Sequence, residues 1–312
     1  MTQDVGAVIV TYNSAGVIGP CLDACRHLTT VVIDNASTDA TAAEVLARPR
    51  VRFIQNSTNR GFAAAVNQGV AELGNSLILL LNPDVQLITP IDPLIHACQQ
   101  PGIGIAAGQL VDASGQPQRG FTLRRLPTPA ALAFEVLGLN RLLPWNPVNQ
   151  RYRCLDVDLG VPADVEQPAG AFLLFRRDLW QQLNGFDPAF HPIWFEDVDF
   201  CRRTLACGYR IRYLPQVTAL HKGGHSIGSL TWSCREVYWY ASLQRYAVKH
   251  FPPRAFREVG VAVALASVLR ALGAVVFAGV RGRNGEIWRT YAGVVRFAAG
   301  CVVRGRLPSP EK

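Results

Sequence analysis

Two places in this 312-residue chain gather side chains that could do chemistry, and a third follows close behind them. The first is Asn82-Pro83-Asp84, which breaks off the aliphatic run Leu77-Ile-Leu-Leu-Leu81. Five aliphatic residues in a row suit a strand buried on both faces of a parallel sheet, and Pro83 ends it. Asp84 is thereby set just outside the carboxyl edge of a sheet, where open α/β folds bind their ligands. A carboxylate there can hold a divalent cation, and the cation can hold a diphosphate; the plainer alternative is that Asn-Pro-Asp only makes the turn. The second place is Trp194-Phe195-Glu196-Asp197-Val198-Asp199. Three carboxylates in four residues beside two aromatic rings are costly to crowd unless they cap a helix, meet cations or do chemistry. The third is His221-Lys222-Gly223-Gly224-His225, which directly follows the apolar stretch Val217–Leu220.

The elements that must position these groups alternate strand and helix. Val5–Val10 reads as a strand, followed by Thr11-Tyr12-Asn13-Ser14 as a loop and helix start. Val31–Asp34 reads as the next strand and runs into Asn35-Ala-Ser-Thr-Asp39, with Ser37 or Thr38 starting a helix through Leu46. Asp34, again at a strand's carboxyl end, can accept hydrogen bonds from a ribose hydroxyl or a base N–H. A third strand, Val51–Ile54, leads through Asn59-Arg60-Gly61 into an alanine-rich helix over residues 62–69. Arg60, in the loop before that helix, is placed to meet an anion. A helix over 91–100 and a strand over 103–107 follow, and then the pattern is lost from Gln109 to Asp164, a stretch broken by six prolines. Long irregular segments inside compact domains are usually functional or mobile. Order returns with a strand over 167–176, whose Gly170 permits close approach of a ligand. A short helix near Asp178 and two strands, 210–214 and 217–220, then deliver His221.

In their order and spacing, the motifs Val-Ile-Val-Thr-Tyr-Asn, Val-Ile-Asp-Asn-Ala-Ser-Thr-Asp, Asn-Arg-Gly-Phe-Ala-Ala-Ala-Val-Asn-Gln-Gly and Leu-Leu-Asn-Pro-Asp-Val resemble the family 2 glycosyltransferases, and within them the bacterial rhamnosyltransferase-like branch. The resemblance covers roughly residues 5–226. It implies the GT-A fold, a mostly parallel Rossmann-like α/β sheet flanked by helices, with a nucleotide-sugar-binding half over 1–108 and an acceptor and catalytic half over 109–250. It implies Asp197 as the general base, with Glu196 binding acceptor or positioning the pair, and Asp199 capping or pairing with Arg202 or Arg203. It implies a divalent cation, Mg²⁺ or Mn²⁺, on Asp84 and His221, with His225 as the other candidate histidine. Asn82 stands where the family often has an aspartate, so it would be a weaker neutral oxygen. The donor side falls to Thr11, Tyr12, Asn13, Asp34, Asn35, Arg60, Gly61, Asn67, Asn82 and Lys222. The expected reaction is inverting transfer of a sugar, rhamnose from dTDP-rhamnose above others, to a hydroxyl of a lipid-linked polysaccharide.

Composition sets the remaining expectations. With 49% hydrophobic and 17% charged residues, the chain can build a large core. Eight cysteines without a Cys-x-x-Cys pair read as reduced thiols, and the first residues lack the basic region of a signal peptide, so a cytoplasmic location is expected. The net charge of +8 is uneven: residues 251–312 carry ten cations against three carboxylates. Such a basic tail interleaved with apolar residues suggests an anionic surface, membrane or nucleic acid. Trp232–His250 reads as a helix with an aromatic face. Val259–Val280 just reaches spanning length, but Arg270 near its centre argues against spanning. Two helices in the extension 251–312, lying on the inner leaflet of the cell membrane, are therefore expected, and no nucleic-acid partner. The alternative use of that pair is packing on the catalytic domain or a homodimer interface. A non-catalytic, membrane-bound nucleotide-sugar-binding or scaffold protein is the competing reading; Asn82 favours it and the Glu196-Asp197 pair opposes it.

Overall fold

The computed structural model describes residues 4–223, 230–277 and 284–304. The chain opens as β1 (Val5–Thr11), α1 (Ala15–Ala24), β2 (Thr29–Asp34), α2 (Thr41–Leu46), β3 (Val51–Gln55), α3 (Phe62–Ala71) and β4 (Leu77–Leu81). It continues through β5 (Val85–Leu87), α4 (Asp92–Gln99), β6 (Ile103–Val111), β7 (Leu123–Arg124), α5 (Pro129–Val136), α6 (Leu139–Leu142) and α7 (Pro147–Tyr152). Then come β8 (Ala163–Val165), β9 (Gln167–Pro168), β10 (Phe172–Arg176), α8 (Arg177–Gln182), α9 (Glu196–Ala206), β11 (Arg210–His221), α10 (Trp232–His250), α11 (Pro253–Phe277) and α12 (Asn284–Arg304).

These elements form two compact units. The first holds residues 4–126, 153–192 and 196–223 of the described chain. Its sheet runs β3-β2-β1-β4-β10-β6-β11-β5, with β8 beside β11. The β3-β2-β1-β4 half is wholly parallel, whereas β10 enters antiparallel between β4 and β6. Every residue of β1 and β4 is buried, as the aliphatic runs require. Alternate residues feed opposite cores: Ala7, Ile9, Leu79 and Leu81 pack on one face, Val8, Val10, Ile78 and Leu80 on the other. Each such Leu or Ile stabilises the sheet by about 1.5–3 kcal/mol, which fixes strand ends, and the groups on them, against a stiff support.

Three local expectations are corrected here. The helix expected from Ser37 or Thr38 begins at Thr41. Asp34 and Asp39 accept from the backbone N–H groups of Ser37 and Thr41, and side chains that bind nearby backbone in this way compete with helix. The strand expected over 167–176 is broken between β9 and β10, leaving Ala169-Gly170-Ala171 outside the ladder. The two strands expected at 210–214 and 217–220 are one, β11, irregular in register between Leu214 and Thr218 where Pro215 interrupts it.

The second unit holds residues 127–152, 193–195 and those from 230 onward. Thr128 caps α5, accepting from the N–H of Ala131 at 3.1 Å, with Pro129 at the first helical position. Ile193–Phe195 is held to α10 by the Ser242 hydroxyl, 2.9 Å from the Ile193 carbonyl, and by the Phe195 ring, 5.5 Å from that of Tyr246. Arg270 of α11 donates to the Tyr240 hydroxyl and to the Val136 carbonyl, both at 2.6 Å, so this mid-helix charge is fully engaged inside the unit. Among the described residues, no helix is long and apolar enough to cross a membrane.

Candidate active site

Antiparallel pairing of β11 with β5 sets His221 opposite Val85, and so carries it beside Asp84 from far along the chain. The His221 Nε2 lies 3.7 Å from the Asp84 Oδ2, with each side chain 5% exposed. Gln118 brackets the histidine: its Nε2 donates to the His221 carbonyl at 2.7 Å, and its Oε1 lies 2.9 Å from Nδ1. Because the amide nitrogen serves the carbonyl, the amide oxygen must accept, and Nδ1 carries the proton. Nε2 then faces the carboxylate with its lone pair. Burial lowers the His221 pKa against the opposing pull of Asp84, which keeps the ring neutral. The Phe121 ring stacks on the imidazole, 4.9 Å between centroids and 12° from parallel.

Two electron-pair donors that face each other with no proton between them suit a divalent cation. Mg²⁺-type sites commonly take one or two protein ligands and fill the rest from substrate phosphates. The chain offers such a pair: among the described residues there is no cluster of three or more His, Cys, Asp or Glu that could hold a metal by itself. Asn82 is half-buried, with its backbone N–H donating to the Ala171 carbonyl at 3.0 Å. Lys222 is exposed, its backbone N–H 3.3 Å from the Asp84 carbonyl. His225 and Ser226 lie outside the described residues.

The second centre is built at the start of α9. Trp194 and Phe195 precede it with φ of 79° and 71°, a left-handed conformation that costs bulky residues about 1–3 kcal/mol each. Glu196, Asp197 and Asp199 occupy the first turn, where the helix dipole favours carboxylates. Their surroundings separate them. Asp199 is fully buried against Arg203, Nε to Oδ2 2.7 Å, and Arg203 also donates to the carbonyls of Leu183 and Gly185. Glu196 is 4% exposed and its Oε2 has no hydrogen-bond partner. Burial first, then the Asp197 charge, pushes its pKa well above the usual carboxylate range.

Asp197 alone of the three keeps a partly exposed edge. Its Oδ2 accepts from the Gly170 N–H at 2.9 Å and its Oδ1 from the Val198 N–H at 2.8 Å. Burial still raises its pKa, although those two N–H groups pull the other way. Gly170 was expected to admit a ligand, and the structure corrects this: a Cβ there would meet the Asp197 Cβ and Oδ2 at 2.8 Å, so the space belongs to the carboxylate. Ala171, next in the chain, bonds Asn82, and Phe172 pairs with Leu81. Asp197 and Asp84 are thus both anchored to the β4–β10 edge.

On the donor side the structure divides the expected residues. Tyr12 and Asn13 are half-buried and Arg60 is exposed, hydrogen-bonded to Gln68 at 3.2 Å. Thr11, Asp34 and Asn35 are buried. The Asp34 carboxylate accepts from the Thr11 and Ser37 hydroxyls, the Ser37 N–H and Gln55. A carboxylate has about four acceptor positions, so Asp34 reaches a ribose or base only as Ser37 or the exposed Gln55 yields. Asn35 joins Gly61 and Asn56, donating to the former's carbonyl at 3.2 Å. Gly61 has φ 82°, and a Cβ there would sit 2.8 Å from the His191 ring, so glycine shapes this turn. The Asn67 amide donates to the Phe186 carbonyl at 2.8 Å and accepts from the Phe186 N–H at 3.0 Å, so it clasps that backbone. Gln118 and Phe121 were missed, because they lie in the stretch where periodicity was lost.

Known proteins resemble this chain in sequence and in fold. The model of Glycosyl transferase family 2 matches residues 7–161, and one described as the N-terminal domain of galactosyltransferase matches residues 152–225. An N-acetylglucosaminyl-diphospho-decaprenol L-rhamnosyltransferase of Mycobacterium tuberculosis is 29% identical over 255 residues, covering 73% of this chain and 79% of that one. A pre-mycofactocin glycosyltransferase of the same organism is 26% identical over 87% of this chain and 53% of its own length. Among solved structures, a mannosyltransferase from Pyrobaculum calidifontis in complex with GDP-Man and Mn²⁺ superimposes with TM-score 0.52 at 16% identity, over 97% of this chain and 88% of that one. Staphylococcus aureus TarS in complex with UDP-GlcNAc gives 0.50 at 14% identity, over 97% and 93%. At such identities the likeness establishes the fold.

Proposed function

The chain belongs to the family 2 glycosyltransferases, and on that premise we propose that it transfers a sugar with inversion from a nucleoside diphosphate donor to a hydroxyl of a lipid-linked saccharide. The donor we propose is dTDP-rhamnose, as the rhamnosyltransferase resemblance implies, and the lipid-linked acceptor follows the mycobacterial relative, an N-acetylglucosaminyl-diphospho-decaprenol L-rhamnosyltransferase. Such an acceptor puts the enzyme at the inner face of the cell membrane. The carrying observation is the division of labour at α9, where three carboxylates crowd one turn and only Asp197 is both accessible and held by a backbone donor.

Asp197 takes the proton from the incoming hydroxyl. Its raised pKa makes it a stronger base than a free aspartate, the direction that general-base catalysis favours. The Gly170 N–H fixes the carboxylate against rotation. Glu196, buried in surroundings that disfavour its charged form, positions the pair rather than meeting the acceptor. Asp84 and His221 would hold the divalent cation, Mg²⁺ or Mn²⁺; when bound, such an ion neutralises charge developing on a leaving diphosphate. Lys222 and Arg60, both exposed cations beside the site's loops, meet the same charge from the chain itself. A single base without a second accessible carboxylate in that turn gives direct displacement, hence inversion.

The test is binding and slow hydrolysis of a panel of nucleotide sugars, with Mg²⁺, Mn²⁺ or chelator, by wild type, Asp84→Ala and Asp197→Asn. Selective turnover of dTDP-rhamnose is expected, with binding weakened by the first change and turnover reduced about 10²–10⁴-fold by the second. Absence of binding by every nucleotide sugar would overturn the proposal.

A further inference from the structure

We infer that the loop Leu142-Leu143-Pro144-Trp145, in the second unit, is a membrane-inserting wedge that seats that unit on an anionic bilayer. The inference rests on the lipid-linked acceptor proposed above and names the surface that meets the lipid.

Three large apolar side chains stand out from this loop, with Leu142 72%, Leu143 50% and Trp145 73% exposed. Burying a leucine is worth about 1.5–3 kcal/mol, so this is a concentrated exposure. Single surface apolar residues need no explanation, whereas a contiguous apolar patch marks an interaction site. The backbone beneath it is what separates lipid from other partners. An ordinary surface loop leaves its carbonyls to water, but a segment entering hydrocarbon must satisfy them internally. Here the two central carbonyls, of Leu143 and Pro144, are met from within by Asn146, Asn149 and Gln150. Asn146 donates its side-chain N–H to the Leu143 carbonyl at 2.7 Å and to Asn140 at 3.2 Å, and the Asn146 backbone N–H also reaches Leu143 at 3.0 Å. Asn149 donates to the Pro144 carbonyl at 2.6 Å, joined by Gln150 at 3.2 Å. Asn140 in turn donates to Glu135 at 2.8 Å. The wedge is therefore apolar outside, with its two central carbonyls hydrogen-bonded from inside, and it carries a tryptophan of the kind that favours the headgroup level.

Helix α11 supplies a second apolar surface in the same unit. At about 100° per residue, Val261, Leu265, Val268, Leu269 and Leu272 share one stripe, each 42–55% exposed. Phe256, Val259, Val263 and Arg270 face the opposite way, into the unit. The outer stripe begins with exposed Arg254 and Arg257, cations that suit the headgroup level of an anionic leaflet. Arg270 fastens this helix to the Val136 carbonyl, a few residues before the wedge.

Charge selects an anionic lipid. Residues 127–152, 193–195 and 230–312 carry fifteen cations against five carboxylates, whereas the rest of the chain carries sixteen against eighteen. The whole positive excess thus belongs to the unit that bears the wedge, and each cation near an anionic leaflet adds about 1 kcal/mol.

The experiment is vesicle flotation of the full chain on phosphatidylglycerol–phosphatidylcholine and on pure phosphatidylcholine vesicles, with Leu142→Ser, Trp145→Ala and the double variant. Partition onto the anionic vesicles is expected, reduced several-fold by salt and about tenfold by each substitution. Brominated lipid should quench fluorescence in wild type more than in Trp145→Phe, which reports insertion of that side chain. Circular dichroism and donor hydrolysis, unchanged in the variants, show that fold and catalytic site persist, so failure of flotation is distinct from failure of the transferase assignment. Wild type that stays with the aqueous phase, or variants that float as well as wild type, would overturn the inference. So would sedimentation showing a dimer that the same substitutions abolish.

Discussion

The contact between Gly170 and Asp197 makes Gly170→Ala a sharp probe of the base. The added methyl would lie 2.8 Å from both the Cβ and Oδ2 of Asp197 and 3.1 Å from its Cγ, where ordinary contacts begin near 3.5 Å. The carboxylate must move by roughly half an ångström or more, which lengthens the 2.9 Å bond from the Gly170 N–H. A hydrogen bond to a charged group is worth about 1.5–3 kcal/mol, and misplacement near 1 Å costs about 10²-fold in rate. Both routes converge on a loss in kcat of about 100-fold, or about 2.7 kcal/mol. Single-turnover donor hydrolysis measures it, with calorimetric donor binding as the control that should stay within about twofold. Because the glycine acts through the aspartate, Gly170→Ala on top of Asp197→Asn should cost little more than Asp197→Asn alone. Full activity in Gly170→Ala, or additive losses in the double variant, would refute the assignment of Asp197.

The pH profile follows from burial of the same group. With the Asp197 pKa raised, the acid limb of kcat/KM should fall at a pH above that of a free aspartate, and a limb at the ordinary aspartate position would contradict this. Glu196 is raised too, so its contribution to stability is full below the unfolded pKa and is lost as pH rises through the folded one. Wild type should therefore gain thermal stability on mild acidification more than Glu196→Gln does, measured by Tm across pH. Gln118→Leu should weaken Mn²⁺ binding about 10–100-fold while Gln118→Glu, which keeps the acceptor, retains most of it; titration of the ion checks both, and histidine ¹⁵N shifts report the lost Nδ1–H form. Asp199→Asn breaks a buried pair and should destabilise by about 3–5 kcal/mol, read as a drop in Tm of order 10 °C, with no specific effect on donor affinity.

The elements that could be read from sequence are those whose burial is uniform. β1 and β4 are buried throughout and β2 after its first residue, so the polar residues that close their apolar runs mark the sheet edge: Thr11 and Asp34 end β1 and β2, and Asp84 lies just past the end of β4. The fold class followed from this alternation, and the α10 boundaries from Thr231 at one end and Pro252-Pro253 at the other. What stayed hidden depends on contacts between distant segments. Nothing local to Gln118 says that its amide will brace His221, since register between β5 and β11 creates the neighbourhood. Asn67 sits in a motif that suggests donor binding, yet its partner is the backbone of Phe186. Thr128-Pro129 is a helix-start signal that the surrounding prolines masked.

The second unit is threaded from three separate stretches, and the tripeptide Ile193–Phe195 runs straight into Glu196 and Asp197. Removing the carboxyl-terminal helices would therefore not liberate an autonomous transferase. It would strip Val136 of Arg270, Ile193 of Ser242 and Phe195 of Tyr246, and leave the left-handed turn at Trp194-Phe195 without the contacts that hold it. The carboxyl-terminal helices and the turn before Glu196 and Asp197 thus form one mechanical piece: a change in those helices is felt at the two residues that precede the proposed base.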